Sequence, residues 1–335
     1  MRIAIDAMGG DFAPREVVAG ALIAARDRVA REILLVGRRN EVEAEIEAQG
    51  GAPANISVVD APDVIEMAAS PVEALKRTPG ASILVALQQL RLDNADAVLA
   101  AGSTGAAVAA SMMVLKRLKG VKRPGIAIPL PSNNAHGVGL LLDAGANPNC
   151  RPRNLLQYAV MGTAYYRQVF GEENPRVGLV SIGEEETKGN ALTKDAAKLL
   201  RHSGLNFVGN VESRNVFGGA CDVAVCDGFV GNIILKTAEG VVELMMGMTA
   251  EVLKDRDPQA LHSVAKRLDY AEFGGAPLLG FERLVTICHG RSDRRAISNA
   301  IRASARAVDK HMGDRIIEGL ARHQGMIREQ AGAES

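Results

Sequence analysis

The sequence predicts an α/β protein, a three-layer α/β/α sandwich built around a mostly parallel sheet. Three observations lead there. Short apolar runs alternate with longer segments of helical periodicity along most of the chain, as in parallel strands joined by crossover helices. Several of those runs lead straight into a glycine-bearing turn and then a helical pattern, as at the carboxyl edge of a doubly wound sheet. The 335 residues, 47% hydrophobic and 23% charged, have the composition of a globular protein with a large core.

The elements follow in order. Ile3–Asp6 reads as a buried strand and Arg15–Ala30 as a helix, with Pro14 suited to its first turn. Strand Ile33–Gly37, helix Glu41–Gly50 and strand Ile56–Asp60 come next. Ala81–Leu92 is helical, Ala97–Ala101 a strand and Ala106–Leu118 a helix. Gly125–Pro131 and Gly137–Leu142 are strand-like runs around the polar loop Ser132–His136, an antiparallel hairpin by pattern. Helix Arg153–Phe170, strand Arg176–Ser181, helix Ala191–His202 and strands Leu205–Val208 and Val223–Cys226 follow. A long helical stretch, strand Leu284–Cys288 and a helical C-terminus from Asp293 to about Glu329 complete the chain. No repeat, linker or low-complexity segment divides it. One domain over 1–335 is expected, with an inserted helical subregion at 237–272.

Charge and cysteine usage narrow the function. Lys and Arg number 39 and so do Asp and Glu, a formal net charge of +0, so no global attraction to nucleic acid is expected. The four cysteines are scattered, without a C-x-x-C pair, which fits a reducing cytoplasm. The six histidines are dispersed and form no zinc pattern. No metal and no cofactor is expected. The N-terminus lacks a signal-peptide apolar core. Val98–Leu115 is uncharged, but Gly102, Ser103, Thr104 and Gly105 interrupt it, so it reads as strand, turn and buried helix rather than a membrane span.

Five turns share one chemistry: Asp6–Asp11, Ala101–Gly105, Ile182–Asn190, Asp227–Asn232 and Cys288–Asp293. Each follows an apolar run and precedes a helical pattern. At the carboxyl edge of a doubly wound sheet such turns converge on a crevice rich in backbone N–H groups and helix N-termini. Candidate binding residues are Asp6, Gly9, Gly10, Asp11, Gly102, Ser103, Thr104, Gly105, Gly189, Asn190, Asp227, Gly228, Gly231 and Asn232. Walker, dinucleotide and serine-hydrolase signatures are absent. The residues alone therefore indicate an enzyme for a small anion.

Seven segments in register carry a resemblance. They are Asp6–Pro14 (DAMGGDFAP), Gly102–Ala106 (GSTGA), Leu142–Asn147 (LDAGAN), Ile182–Asn190 (IGEEETKGN), Gly228–Lys236 (GFVGNIILK), Gly274–Gly280 (GGAPLLG) and Ile287–Ser292 (ICHGRS). Together they resemble the bacterial phosphate acyltransferase (PlsX) family of phospholipid synthesis. The resemblance runs from Met1 to about Asp309 and departs after Gly280, where Phe281-Glu282-Arg283 replaces a small glycine-containing turn. It adds Asn147 to the candidate binding residues. It implies transfer of a fatty acyl group from acyl carrier protein to inorganic phosphate. It also implies an isocitrate/isopropylmalate dehydrogenase-like fold and a homodimer. A long-chain acyl phosphate must leave toward a bilayer, so a peripheral membrane location, beside the downstream glycerol-3-phosphate acyltransferase, is expected.

A thioester is already activated, so the protein must align phosphate and stabilise an oxyanion. Direct attack by phosphate is expected in preference to a covalent route through Cys226 or Cys288. Lys188 is the candidate to neutralise phosphate or the oxyanion. His289 is the candidate oxyanion donor, or acid to the leaving thiolate. Leu244, Met245, Met248 and Leu261 lie on apolar helical stripes and are expected at a membrane or dimer surface. Two basic features, Lys116–Arg123 and Arg295, Arg302, Arg306 and Lys310, are candidates to meet the acidic carrier protein. A hydroxyacid dehydrogenase would need a nicotinamide site and clustered metal-binding aspartates, which are not visible. A membrane scaffold without catalysis would have no need of the glycine turns.

Overall fold

A computed structural model describes residues 1–65, 71–253, 259, 274–309 and 313–322. The chain falls into two compact units where one domain was expected: Met1–Pro124 with Phe273–Ile317, and Gly125–Glu272 with Glu318–Ser335.

The first unit contains β1 (Arg2–Asp6), α1 (Arg15–Arg26), β2 (Glu32–Gly37), α2 (Arg39–Ala48), β3 (Ile56–Asp60), α3 (Pro71–Arg77), α4 (Ser82–Arg91), β4 (Ala97–Ala100) and α5 (Thr104–Val114). The second contains β5 (Gly125–Pro131), β6 (Val138–Leu142), α6 (Pro152–Phe170), β7 (Val177–Val180), α7 (Ala191–Arg201), β8 (Phe207–Val211), α8 (Ser213–Gly218), β9 (Val223–Val225) and α9 (Gly228–Leu253). The chain then completes the first unit with β10 (Ala276–Leu279), β11 (Leu284–Ile287) and α10 (Arg294–Asp309).

In the first unit the strand order is β3-β2-β1-β4-β11-β10. All pairings are parallel except β10 with β11. Side chains alternate across a strand. Ile3, Ile5, Ile33, Leu35 and Leu99 therefore share one face, buried with Val18 and Leu22 of α1, Val42 of α2 and Ile297 of α10. Each such side chain contributes about 1.5–3 kcal/mol on full burial. α4 packs on β1, β2 and β4 and touches α5. In the second unit the order is β5-β6-β9-β7-β8. The expected hairpin is present, with β5 antiparallel to β6 from Ala127↔Leu142 to Pro131↔Val138. The other pairings are parallel, and α6 packs on β6, β9 and α7.

Several boundaries move. Pro14 is the cap before α1, not part of its first turn. α1 stops at Arg26 because Arg28 takes a positive φ of 55°. α5 starts at Thr104, where the Ser103 hydroxyl accepts from the Ala106 N–H, and stops when Leu115 turns extended. The helix begun at Asp293 is described as Arg294–Asp309 and again at residues 313–322; its expected end near Glu329 lies outside the described residues. β10 is a strand that the sequence reading missed, because Gly274-Gly275 and Pro277 resemble a loop. Of the subregion at 237–272, residues 254–258 and 260–272, Leu261 among them, lie outside the described residues.

Candidate active site

Parallel strands bring the turns at their carboxyl ends to one edge of each unit. In the first unit these are the turns after β1, β4 and β11. Gly10 has φ +108°, a conformation that side-chain-bearing residues rarely adopt. The next residue donates from its backbone, Asp11 N–H to the Gly290 carbonyl at 2.8 Å. A Cβ on Gly9 would fall 2.7 Å from the Gly102 nitrogen, so the first and second turns touch backbone to backbone.

Asp6 sits beneath this contact, 4% exposed. Its carboxylate accepts from the Met8 N–H at 3.2 Å and from Gly9 and the Ser82 hydroxyl. Burial nevertheless dominates and pushes its pKa up to about 6. Asp6, Gly9, Gly102 and Ser103 line a cavity of about 20 Å³, room for little more than a water. Thr104 and Gly105 form the first turn of α5. His289 is half-buried after β11, its Nδ1 accepting from the Arg291 N–H at 3.1 Å.

In the second unit the turns after β6, β7 and β9 meet. Asp143 is wholly buried. One oxygen accepts from the N–H groups of Ile126 (3.0 Å), Gly145 (3.1 Å) and Ala146 (2.9 Å), the other from Asn147 N (2.7 Å) and Nδ2 (3.1 Å). Burial raises its pKa while these bonds pull it down. α9 begins against this turn. Gly228 N–H donates to the Asn147 carbonyl at 2.8 Å, and a Cβ on Gly231 would sit 1.9 Å from the Asp143 carbonyl oxygen. The Asp227 carboxylate accepts from Phe229 N (2.9 Å) and Val230 N (3.0 Å), a cap on α9. Asn232 is exposed, its side chain beside Gly145.

Next to this junction lies a cavity of about 640 Å³, lined in part by Ser181, Gly189, Asn190, Thr193 and Asp227. Asn190 caps α7 by accepting from Thr193 N at 3.0 Å. The Ser181 hydroxyl is buried without a hydrogen-bond partner. Lys188 is exposed on the same loop, beside Glu184, Glu185 and Glu186, and does not line the cavity.

The expected site residues thus fall into two groups. Asp6, Gly9, Gly10, Asp11, Gly102, Ser103, Thr104, Gly105 and His289 belong to the first unit. Asn147, Lys188, Gly189, Asn190, Asp227, Gly228, Gly231 and Asn232 belong to the second. Sequence reasoning missed Asp143, Ser181, Thr193 and Ser82. Asp143 had a usable signal, an acid at a strand's carboxyl end within LDAGAN; Ser82 starts a helix and had none. Cys226 and Cys288 are buried. Burial pushes the Cys288 thiol up to about 12 and Cys226 well above its ordinary value, so neither is a ready nucleophile.

Glycine turns at the carboxyl edges of parallel strands, with capped helix starts beside them, are the arrangement by which α/β enzymes meet small anions. Comparison with known proteins makes this specific. A family model described as "Fatty acid synthesis protein" matches residues 1–315. A phosphate acyltransferase of Desulforamulus reducens is 47% identical, covering 97% of this chain and 99% of its own. Another, of Heliobacterium modesticaldum, is 49% identical, covering 93% and 95%. The chain belongs to this phosphate acyltransferase family. It is an acyltransferase of fatty acid and phospholipid synthesis that moves an acyl group to phosphate. The fold agrees. A phosphotransacetylase from Streptococcus pyogenes superposes with a TM-score of 0.63 at 18% identity, covering 92% of this chain and 94% of its own. A 4-hydroxythreonine-4-phosphate dehydrogenase from Klebsiella pneumoniae superposes with a TM-score of 0.51 at 14% identity, covering 91% and 98%.

Proposed function

We propose that the acyl donor is acyl carrier protein and that phosphate attacks the thioester directly. The observation that carries the direct route is the burial of both strand-end thiols. A displacement without an acyl-enzyme needs only alignment of phosphate and donors for the oxyanion. The glycine turns and helix starts offer those donors, and removal of one typically costs about 2.7–4 kcal/mol of barrier.

In this reading Gly189, Asn190 and the start of α7 take part in holding substrate, with Asp227, Gly228, Gly231, Asn232 and Asn147 shaping the same edge. Lys188, exposed on its loop, neutralises phosphate or the oxyanion. Within the first unit, the turns Asp6–Asp11 and Gly102–Gly105 offer backbone N–H donors and His289 an imidazole donor, each a candidate of that unit by itself. Asp6, Asp11 and Asp227 shape loops rather than touch phosphate, since like charges repel.

The protein acts in the cytoplasm as a homodimer in peripheral contact with the membrane, where its acyl phosphate passes to a glycerol-3-phosphate acyltransferase. Among the described residues, no helix is long and apolar enough to cross a membrane. Support comes from α9, where Leu244, Met245 and Met248 are each more than half exposed, an apolar face suited to a bilayer or a second copy. The test is thiol release from acyl carrier protein with phosphate present and absent. Release that needs phosphate supports the reading; an equal rate without it overturns the assignment of phosphate as acceptor.

A further inference from the structure

The cavity of the second unit is much larger than phosphate chemistry needs. A water needs about 10–15 Å³ of such space, whereas this cavity measures about 640 Å³. Its polar side chains, Ser181, Asn190, Thr193, Glu212, Ser213 and Asp227, follow the carboxyl ends of β7, β8 and β9 or open α7 and α8. Leu155, Val180, Val230, Ile233 and Ile234 line it as well, and all are aliphatic. Val230, Ile233 and Ile234 stand at i, i+3 and i+4 on α9, hence on one face. Ile234 is buried, but Ile233 is 49% exposed, a large aliphatic side chain left partly uncovered inside a cavity. Polar side chains from the strand ends together with an aliphatic face of α9 fit an amphiphile whose polar head reacts at the strand ends.

We propose that this aliphatic lining holds the acyl chain, and that Ile233 with Val230 sets the chain length accepted. The inference rests on the reading that Gly189, Asn190 and the start of α7 hold the thioester and phosphate at this cavity. At 1.5 Å per residue, Ile233 lies about 9 Å along α9 from Asp227. It therefore meets the body of the chain, not the carbonyl. Each methylene moved from water onto such a wall strengthens binding about fourfold, so blocking the wall discriminates by length.

The experiment compares Ile233→Trp and Ile233→Ala with the unaltered protein. It uses medium-chain and long-chain acyl thioesters, and separately the binding of a long-chain alkyl phosphate by calorimetry. Ile233 is half exposed, and thermal melting verifies that each variant is folded. Ile233→Trp is expected to lower the long-to-medium ratio of kcat/KM about tenfold or more and to weaken alkyl phosphate binding. Ile233→Ala is expected to leave the long chain accepted and bind it with reduced affinity. Unchanged ratios and unchanged alkyl phosphate binding in both variants overturn the inference while leaving acyl transfer intact. Absence of phosphate-dependent turnover with every chain length instead overturns the functional reading, and the calorimetry still decides the chain site.

Discussion

Asp143 accepts two hydrogen bonds from a single residue: the backbone N–H of Asn147 at 2.7 Å and its side-chain Nδ2 at 3.1 Å, both on Oδ2. Asn147 in turn accepts from the Gly228 N–H that opens α9. One buried carboxylate therefore ties the turn after β6 to the start of the longest described helix, and so to the edge where the cavity lies.

Asp143→Asn keeps the shape but turns one acceptor into a donor facing N–H groups. Each unsatisfied buried donor costs about 1–3 kcal/mol. We expect the variant to lose at least about 2 kcal/mol in urea unfolding, and kcat/KM to fall with it. A wild-type unfolding midpoint would show that the carboxylate does not hold the turn.

Asp6 gives the first unit a pH dependence of unusual sign. Its folded pKa is about 6, raised from 3.8 by burial. The folded state then binds more protons than the unfolded one between those values, so stability falls as pH rises through that window, by at most about 1.4 kcal/mol per unit. Above about pH 6 the penalty is fully present. Melting temperatures measured from pH 4 to pH 7 should decline for the wild type, and Asp6→Asn should flatten that component. An identical slope in the variant would remove Asp6 as its source.

Asp222 gives the opposite sign in the second unit. Burial pushes its carboxyl up, but bonds from Arg176, N at 2.8 Å, Nε at 3.1 Å and a guanidinium NH2 at 3.0 Å, outweigh it and lower the pKa. Its contribution is present above the ordinary aspartate range and is lost as pH falls through the lowered value. Asp222→Asn should therefore destabilise at neutral pH and weaken the acid dependence of unfolding. Unfolding curves at pH 7 and pH 3 test this; an equal deficit at both would contradict it.

The apolar face of α9 predicts a third kind of outcome. Met245→Glu places a charge among Leu244, Met245 and Met248, which are 64%, 57% and 62% exposed. We expect the variant to lose either liposome co-sedimentation or the dimer, as read by analytical ultracentrifugation. If both survive unchanged, this face is neither surface.

Much of this architecture was legible in the residues, because each layer leaves a local pattern. Ile3–Asp6 and Ala97–Ala101 are apolar runs ending in glycine turns, and both became central parallel strands. The hairpin around Ser132–His136 was legible from a polar loop between two apolar runs. β10 was not, since its pairing with β11 is a tertiary fact and Pro277 argues locally against a strand. The candidate site was legible as motifs, not as contacts. Gly231 stood out, but its cause, the Asp143 carbonyl 1.9 Å from a would-be Cβ, is non-local. Ser181 and Thr193 have no distinctive spacing and emerge only from the shape of the cavity.

The central claim is that an acyl group passes to phosphate without an acyl-enzyme. Its most direct test is a single turnover with labelled acyl carrier protein, followed by mass spectrometry of the enzyme and direct chromatographic detection of labelled acyl phosphate. With phosphate, acyl phosphate should appear in step with free carrier thiol; without it, the enzyme should stay unacylated and the thioester intact. Accumulation of acylated protein in the absence of phosphate, on Cys226, Cys288 or any other side chain, would contradict the account.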